Sequence, residues 1–138
     1  MTIPMSDCLF CKIIAGEIPS HKVYEDDQVL AFLDIGPVSR GHTLFIPKMH
    51  ATDLVSGSPE DAATLIRAAH NAIPIFLKRL GAIAHNLALN SGAEAGQIVF
   101  HTHLHFMPRY AGEERSFTKM HPTQEELAET AQVMRGEV

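Results

Sequence analysis

The pattern of hydrophobic and polar positions predicts five short strands, each bounded by Gly, Pro or acidic residues. Apolar and β-branched residues dominate these segments, which is typical of β-strands separated by turns. Asp26 and Asp27 separate the first two strands and therefore indicate a hairpin. The predicted strands cover residues 22–25, 29–34, 41–47, 83–89 and 98–108.

Apolar residues spaced three and four apart predict one long helix between the third and fourth strands. Ser58 has the position of an N-cap, Pro59 that of the first helical residue, and Gly81 follows the last turn. Shorter helices are predicted at residues 8–15 and 123–135. Because strands outnumber helices and most are close enough in sequence to form hairpins, the pattern predicts an α+β fold with an antiparallel sheet.

Length and composition limit the class of protein without identifying it. The chain has 138 residues, of which 46% are hydrophobic and 20% charged, as expected for a single globular domain over residues 1–138. A formal net charge of −5 argues against a nucleic-acid or membrane partner held by a basic patch. No apolar run reaches the ~18–20 residues of a membrane-spanning helix. Residues 1–6 have the composition of a loose tail and not of a signal peptide, so we expect a cytoplasmic protein.

Three histidines recur with a period of two in the fifth predicted strand, at His101, His103 and His105. Side chains two residues apart lie on one face of a strand, so the imidazoles are expected in a row, ~7 Å from one to the next. The opposite face is expected to enter the core through Thr102, Leu104 and Phe106. The preceding segment, residues 90–97, is rich in Gly and small residues that let a ligand approach the backbone closely.

A cluster of three buried imidazoles without partners would cost several kcal/mol, so a purely structural role is the weakest interpretation. Two chemical interpretations remain open from the residues alone. Imidazole is a common zinc ligand. It is also a nucleophile and an acid–base group for phosphoryl or acyl transfer, because it titrates near neutral pH.

The three histidines belong to a longer string of motifs. The string consists of Asn90-Ser91-Gly92, Ala95-Gly96-Gln97, His101-x-His103-x-His105 and Pro108-Arg109. It resembles the histidine-triad (HIT) family of nucleotide hydrolases and transferases, in its zinc-containing, bacterial-type, HINT-like branch. The resemblance covers about residues 7–109, and residues 110–138 extend beyond it. It implies a five-stranded antiparallel sheet with one long helix and short terminal helices, in a homodimer whose sheets join edge to edge.

The resemblance also implies a mechanism. His103 would attack the α-phosphorus of a nucleotide conjugate to form a nucleotidyl-histidine, which water then hydrolyses. The backbone carbonyl of His101 would orient the His103 ring. His105 would bind the phosphoryl oxygens, and Gln97 would lie near the leaving group. The chemistry itself would require no metal.

For substrate binding, the resemblance implies a slot for a purine nucleotide such as AMP. Asp34 would accept hydrogen bonds from the ribose hydroxyls, and Asn90 would contact sugar or phosphate. Ile98 stands where many family members carry Ser or Thr, so the site would either lose one hydrogen bond to the phosphate or make it through the backbone alone. The remaining implied contacts are made by Leu9, Phe10, Ile13, Phe32, Ile35 and Gly96. Simple core packing is the alternative for the aromatic and aliphatic members.

The two cysteines occur as Cys8-x-x-Cys11, which in a reducing cytosol indicates a metal site or a redox pair. A redox pair of the thioredoxin type follows a strand, and the seven residues before Cys8 leave no room for one. The resemblance implies a structural zinc ion with all four tetrahedral positions filled by Cys8, Cys11, His50 and His101. The alternative is a pair of reduced cysteines packed as small hydrophobic residues.

Three functions follow from these interpretations. The first is a hydrolase of purine nucleoside phosphoramidates or of dinucleoside polyphosphates. The second is a metal hydrolase in which the three histidines surround a catalytic zinc. The third is a non-catalytic, nucleotide-binding or scaffold dimer that keeps the pocket.

Overall fold

The computed structural model describes residues 7–138, and the tail predicted at residues 1–6 lies outside this range. Three helices, five strands and one short 3₁₀ turn at Ala93–Ala95 follow one another along the described chain. In chain order, the helices and strands are α1 (Leu9–Ile14), β1 (Lys22–Glu25), β2 (Val29–Leu33), β3 (Thr43–Pro47), α2 (Pro59–Leu80), β4 (Ala84–Leu89), β5 (Leu104–Arg109) and α3 (Gln124–Arg135).

The five strands form one antiparallel sheet in the order β1-β2-β3-β5-β4. The predicted α+β class and five-stranded antiparallel sheet are therefore confirmed. β1 and β4 are the edge strands, while β5 lies between β3 and β4. β5, which carries His105, is therefore hydrogen-bonded to a strand on each side, and these bonds fix its position in the sheet.

The two faces of the sheet have different roles. In β2, Val29, Ala31 and Leu33 enter a core that is shared with α2 and α3. Leu30 and Phe32 point to the opposite face, where they pack against α1. The period of two follows from the pleat of the strand. The α1 face also carries the candidate site. The larger core, which lies on the opposite face with α2 and α3, supports the sheet from behind.

Both longer helices begin and end where the sequence predicts. The Ser58 side chain accepts a hydrogen bond from the Asp61 N–H at 3.0 Å, and α2 ends at Gly81 in the left-handed conformation. Thr123 caps α3 through a capping box, and Gly136 ends it. The residues of α3 that belong to the same core as α2 are Leu127, Ala131 and Met134.

The fifth strand differs from its prediction, because it begins at Leu104 and not at residue 98. Leu104 pairs with the last residue of β4 on one side and with Phe45 on the other, so both neighbouring ladders end there. Upstream, the Thr102 N–H donates instead to the Ala51 carbonyl at 2.9 Å. His101 and His103 therefore precede the strand, and the predicted row of three imidazoles on one strand face is wrong. Leu104 and Phe106 do enter the core.

No helix within residues 7–138 combines the length and the apolar composition needed to cross a membrane.

Candidate functional site

A cavity of about 880 Å³ opens on the α1 face of the sheet. Its volume is in the range of sites that enclose a small organic ligand. His103 and His105 line it, and so do all nine of the residues predicted to bind substrate. Those nine are Leu9, Phe10, Ile13, Phe32, Asp34, Ile35, Asn90, Gly96 and Ile98.

Aromatic side chains form the inner wall of this cavity. The Phe10 ring packs edge-on against Phe32, with the ring centroids 5.4 Å apart, and against His103 at 5.1 Å. Phe10 therefore both packs in the smaller core and lines the cavity. Ile35 and Ile98 are 71% and 75% exposed and belong to the outer rim. The cavity thus offers a deep apolar wall and an open mouth, which suits a flat heterocycle.

The loop that precedes the triad depends on a glycine. Gly96 has a φ of +97°, a conformation that side chains strongly disfavour. A Cβ on Gly96 would also lie 3.6 Å from the Asn90 amide nitrogen. Both residues line the cavity, so the positive φ, and not a lack of space, requires glycine at this point of the wall.

The hydrogen bonds of His103 determine which of its nitrogens is free. Its Nδ1 lies 2.8 Å from the carbonyl oxygen of His101. A carbonyl can only accept, so Nδ1 carries the proton and Nε2 keeps a free electron pair. Burial lowers the pKa of His103, which favours the neutral ring. The residue predicted as nucleophile therefore has an unprotonated nitrogen on a ring that lines the cavity.

A fourth histidine, His42, was missed by the sequence interpretation and determines the tautomer of His105. The Val38 N–H donates to His42 Nδ1 at 3.1 Å, so the neutral ring carries its proton on Nε2. That Nε2 lies 3.0 Å from His105 Nδ1 and 3.6 Å from Asp34 Oδ2. His42 therefore donates to His105, and His105 must carry its own proton on Nε2. This leaves His105 with an N–H donor for an anionic ligand.

The backbone before β3 positions His42. Gly41 has a φ of +90°, and a Cβ there would lie 2.7 Å from Leu80 of α2. The chain can therefore pass close to α2 at this point and place His42 beside β5. Burial lowers the pKa of His42, and burial followed by the neighbouring histidines lowers the pKa of His105 to about 4. Both rings are neutral at neutral pH.

Beside the cavity, Cys8, Cys11, His50 and His101 bring four possible ligand atoms together, all within 4.8 Å of one another. The Nδ1 atoms of His50 and His101 are 3.2 Å apart, and the Cys11 Sγ lies 3.3 and 3.6 Å from them. Cys8 Sγ lies 3.5 Å from His101 Nδ1. Zinc bound to two sulfurs and two nitrogens has N–N edges of about 3.3 Å and N–S edges of about 3.6 Å. The cluster fits a tetrahedral metal ion.

The surrounding hydrogen bonds also suit metal ligands. The Nε2 of His101 lies 2.7 Å from the Pro47 carbonyl, so it carries the proton and Nδ1 is free to coordinate. Burial, and then the hydrogen bond and charge of Cys8, raise the pKa of the Cys11 thiol to about 11. A metal ion would therefore have to displace its proton. The same His101 orients His103 through its carbonyl, so the cluster and the cavity share a residue.

The histidines do not surround a common metal in the cavity. Among the described residues, the three triad imidazoles form no metal-binding group, because the ring of His101 belongs to the cysteine cluster. Asp34, His42 and His105 do lie close together. However, the Val38 N–H on His42 Nδ1 leaves a proton on the nitrogen that faces the other two. This group is better described as a hydrogen-bond relay.

Gln97 occupies a different place from the one predicted. It is 3% exposed and is not among the lining residues of the cavity. Its side-chain oxygen accepts from the Gly92 N–H at 2.8 Å, and its nitrogen donates to the carbonyls of Thr52 and Val99 at 2.6 and 3.1 Å. With these bonds made, Gln97 holds the loop before the triad and is not directed at a leaving group.

The C-terminal extension contributes three further lining residues, Phe117, Lys119 and Gln124. None was predicted, because nothing in their sequence neighbourhood resembles a substrate-binding motif. Gln124 is held by a contact of 2.7 Å between its side-chain oxygen and His21 Nε2. Residues 110–138 therefore complete the wall of the cavity.

The chain is similar to a known protein family and to several individual proteins. The model of a family described as the HIT domain matches residues 15–112. Adenylylsulfatase HINT3 of Arabidopsis thaliana is 45% identical to the chain over 104 residues, which are 75% of this chain and 53% of that protein. The chain thus spans about half the length of this relative.

Two further similarities extend the comparison. Protein hit of Bacillus subtilis is 48% identical over 104 residues, covering 75% of this chain and 72% of the relative. The crystal structure of a zinc-bound histidine triad family protein from Mycobacterium smegmatis superposes with a TM-score of 0.84 and 38% identity. The superposition covers 96% of this chain and 94% of that one.

Proposed function

The chain belongs to the HIT domain family, and we propose that it hydrolyses purine nucleotide conjugates at the α-phosphorus, with nucleoside phosphoramidates as the reference substrates. At the level of the family, the adenylylsulfatase relative supports a nucleotide hydrolase. One observation carries the more specific proposal. The protonated Nδ1 of His103 is held by the His101 carbonyl, which leaves an unprotonated Nε2 on a ring that lines the cavity.

In the proposed first step, Nε2 of His103 attacks the α-phosphorus. The N–P bond forms while the bond to the leaving group breaks, and the electron pair departs with the leaving atom. A departing amine takes up a proton from water at the open mouth of the cavity, whereas an anionic leaving group needs none. His105 donates its Nε2 proton in a hydrogen bond to a phosphoryl oxygen, which stabilises the negative charge that accumulates there. Water then attacks the phosphorus of the nucleotidyl-histidine, and the nucleotide and a neutral His103 are released.

The nucleoside would be held by the first half of the chain. Asp34 follows β2, and its Oδ1 already accepts from the Gly36 N–H at 2.8 Å. The other oxygen is then available to the ribose hydroxyls. The purine would lie against Phe10 and Phe32, where burial of an aromatic face supplies affinity and rigid walls supply shape selection.

We further propose that the cysteine cluster holds a structural zinc ion, with Cys8, Cys11, His50 and His101 as ligands. The tetrahedral distances of the cluster and the zinc-bound relative support this assignment. Such an ion would join α1 to the segment that orients His103. Four protein ligands leave no position for water, so the ion would supply stability and not a nucleophile.

Because α3 shares its core with α2, we propose that residues 1–138 form one HIT domain that includes the C-terminal extension.

The test of the proposed function is incubation of the pure protein with an adenosine phosphoramidate, with chromatography of the products and intact mass spectrometry of the protein. Release of AMP and a transient mass increase of one adenylyl group are expected. Binding of AMP without any turnover would instead favour the non-catalytic dimer.

His42→Ala is expected to lower kcat by about 10- to 100-fold with little change in KM, because His105 loses the donor that fixes its tautomer. His42→Gln should recover part of the loss, since its amide can donate in the same direction. The second readout is the nitrogen NMR spectrum of the imidazoles. It should show the proton of His105 on Nε2 in the wild type, and a mixture of the Nε2-protonated and Nδ1-protonated tautomers in His42→Ala. A kcat loss with an unchanged His105 spectrum would contradict the relay.

We propose that the protein is a homodimer joined along β4. β4 is an edge strand, and Leu87 and the neighbouring Ile83 are 47% and 71% exposed. An unpaired edge with apolar side chains favours pairing with a second strand. Leu87→Lys is therefore expected to reduce the mass measured by light scattering from two chains to one. Val55→Lys, at a loop residue that is 87% exposed, is the matched control. A wild-type mass of one chain would contradict the dimer.

A further inference from the structure

Residues 116–120 contribute Phe117 and Lys119 to the lining of the cavity and are held at both ends. At one end, Arg109 donates from Nη1 to the Ser116 carbonyl at 2.7 Å, and its guanidinium lies 4.8 Å from the centre of the Phe117 ring. At the other end, the Met120 N–H donates to the Pro37 carbonyl at 2.7 Å. Arg109 ends β5, so the segment is tied directly to the strand that carries His105.

This arrangement places Lys119 beside the groups that are proposed to bind the substrate. Lys119 lines the cavity, and its Cδ lies 3.5 Å from the position that a Cβ on Gly36 would take. Burial is the main cause of the lowered pKa of both His42 and His105, and the charge of Lys119 adds to it. The ammonium therefore acts on the same end of the cavity as the relay.

Lys119 has no structural use for its charge in the described chain. Asp34 and Lys119 are the two side chains with a full charge among the described lining residues. Asp34 is engaged by the Gly36 N–H and lies near His42, and no salt bridge within residues 7–138 involves Lys119. An exposed lysine without a partner contributes little to folding. In the lining of a cavity, however, it provides a positive charge for a ligand.

We propose that Lys119 is a specificity-determining residue whose ammonium pairs with an anionic leaving group. The cavity would then favour conjugates that carry phosphate, polyphosphate or sulfate over those that carry an amine. This inference rests on the proposed hydrolysis at the α-phosphorus and names the leaving-group class for the same site.

The chemistry of the two leaving-group classes explains why one lysine separates them. When a P–O bond to phosphate or sulfate breaks, the electron pair stays on the oxygen and the group departs as an anion. A nearby ammonium stabilises that charge without transferring a proton. When a P–N bond breaks, the departing nitrogen needs a proton, and a fixed positive charge beside it gives no comparable advantage. Removal of Lys119 should therefore affect the first class alone.

The test compares Lys119→Gln and Lys119→Arg with the wild type on adenylyl sulfate, diadenosine triphosphate and adenosine phosphoramidate. Lys119→Gln is expected to lower kcat/KM for the two anionic leaving groups by about 10- to 100-fold, the range for a lost charge-assisted hydrogen bond. Turnover of the phosphoramidate should change less than about twofold, and Lys119→Arg should retain most of the activity. Lys78→Gln removes the same charge from an exposed site on α2 and is the control.

Binding measurements separate failure of this inference from failure of the proposed function. ADP carries a β-phosphate in the place of an anionic leaving group, whereas AMP does not. Calorimetry should show that Lys119→Gln weakens ADP at least about tenfold more than AMP, whether or not the protein turns over any substrate. Equal losses for both nucleotides, or equal losses for all three substrates, would mean that Lys119 recognises their shared part. Unchanged values would mean that it recognises nothing, and either result overturns the proposal.

Discussion

His103→Ala is expected to lower the rate of AMP release from an adenosine phosphoramidate by about 10⁴-fold or more. Loss of a covalent nucleophile removes the route itself, and losses of this size or larger follow when such a group is deleted from a hydrolase. The neutral ring of His103 is held by the His101 carbonyl at 2.8 Å and packs against Phe10.

The decisive measurement is intact mass spectrometry after brief incubation and quenching without acid, because a P–N bond to histidine is labile in acid. The adenylyl adduct should appear in the wild type and be absent in His103→Ala. His70→Ala, an exposed histidine of α2, is the matched control and should behave as the wild type. AMP release that persisted in His103→Ala would mean that another group is the nucleophile.

The affinity of the variant for AMP provides an independent control. The proposed slot for the nucleoside is lined by Phe10, Phe32 and Asp34, none of which requires the His103 nitrogen. His103→Ala should therefore bind AMP with an affinity within about tenfold of the wild type. An unfolded variant would lose both binding and turnover, so retained binding shows that the loss of rate is chemical.

Local periodicity explains why most of the fold could be predicted. The continuous apolar run of β2 predicts a strand that is buried on both faces, and the pleat of such a strand directs Val29 and Ala31 to one core and Leu30 to the other. Helix caps are equally local, because Ser58 and Gly81 act on backbone groups only a few residues away. Such features need no knowledge of which elements become neighbours.

The end of a strand pairing is not a local property, and this is why β5 was predicted too long. The apolar and β-branched pattern continues through residues 98–103. However, the pairing of β5 with both neighbouring strands ends at Leu104, which pairs with Phe45 on one side and with Leu89 on the other. Beyond that point the sequence retains the composition of a strand without having a partner. The backbone of Thr102 bonds to a loop instead, and the His101 ring joins the cysteine cluster while the rings of His103 and His105 line the cavity.

Residues of the site were missed where only tertiary structure brings them together. His42 is a single histidine before β3, and its importance arises from the antiparallel register that pairs Leu44 with His105. Lys119 reaches the cavity through Arg109 and Pro37, which are distant in sequence from one another. By contrast, Cys8 and His101 could be assigned to one cluster because the family pattern carries information that spacing alone does not.

Removal of the metal, or of one of its ligands, is expected to have the largest effect on stability. His50→Ala should lower the Tm by on the order of 10 °C and reduce the zinc content from about one ion per chain to near zero. His50 contributes one of the four atoms of the cluster, and its Nδ1 lies 3.2 Å from that of His101. Without an ion, only weak S–H hydrogen bonds would connect the cysteines with the histidines, so α1 would lose its strongest link to the segment that carries His101.

Chelation distinguishes a structural ion from a catalytic one. With EDTA, the wild type should unfold at the same temperature as His50→Ala, while the exposed control His121→Ala should keep its zinc and its Tm. Below the lowered Tm, the zinc-free protein should lose much less activity than His103→Ala, because the His101 carbonyl and not its ring orients the nucleophile. Activity that vanished on chelation while the Tm stayed constant would contradict the structural role. A Tm of His50→Ala equal to that of the wild type in added zinc would contradict the cluster itself.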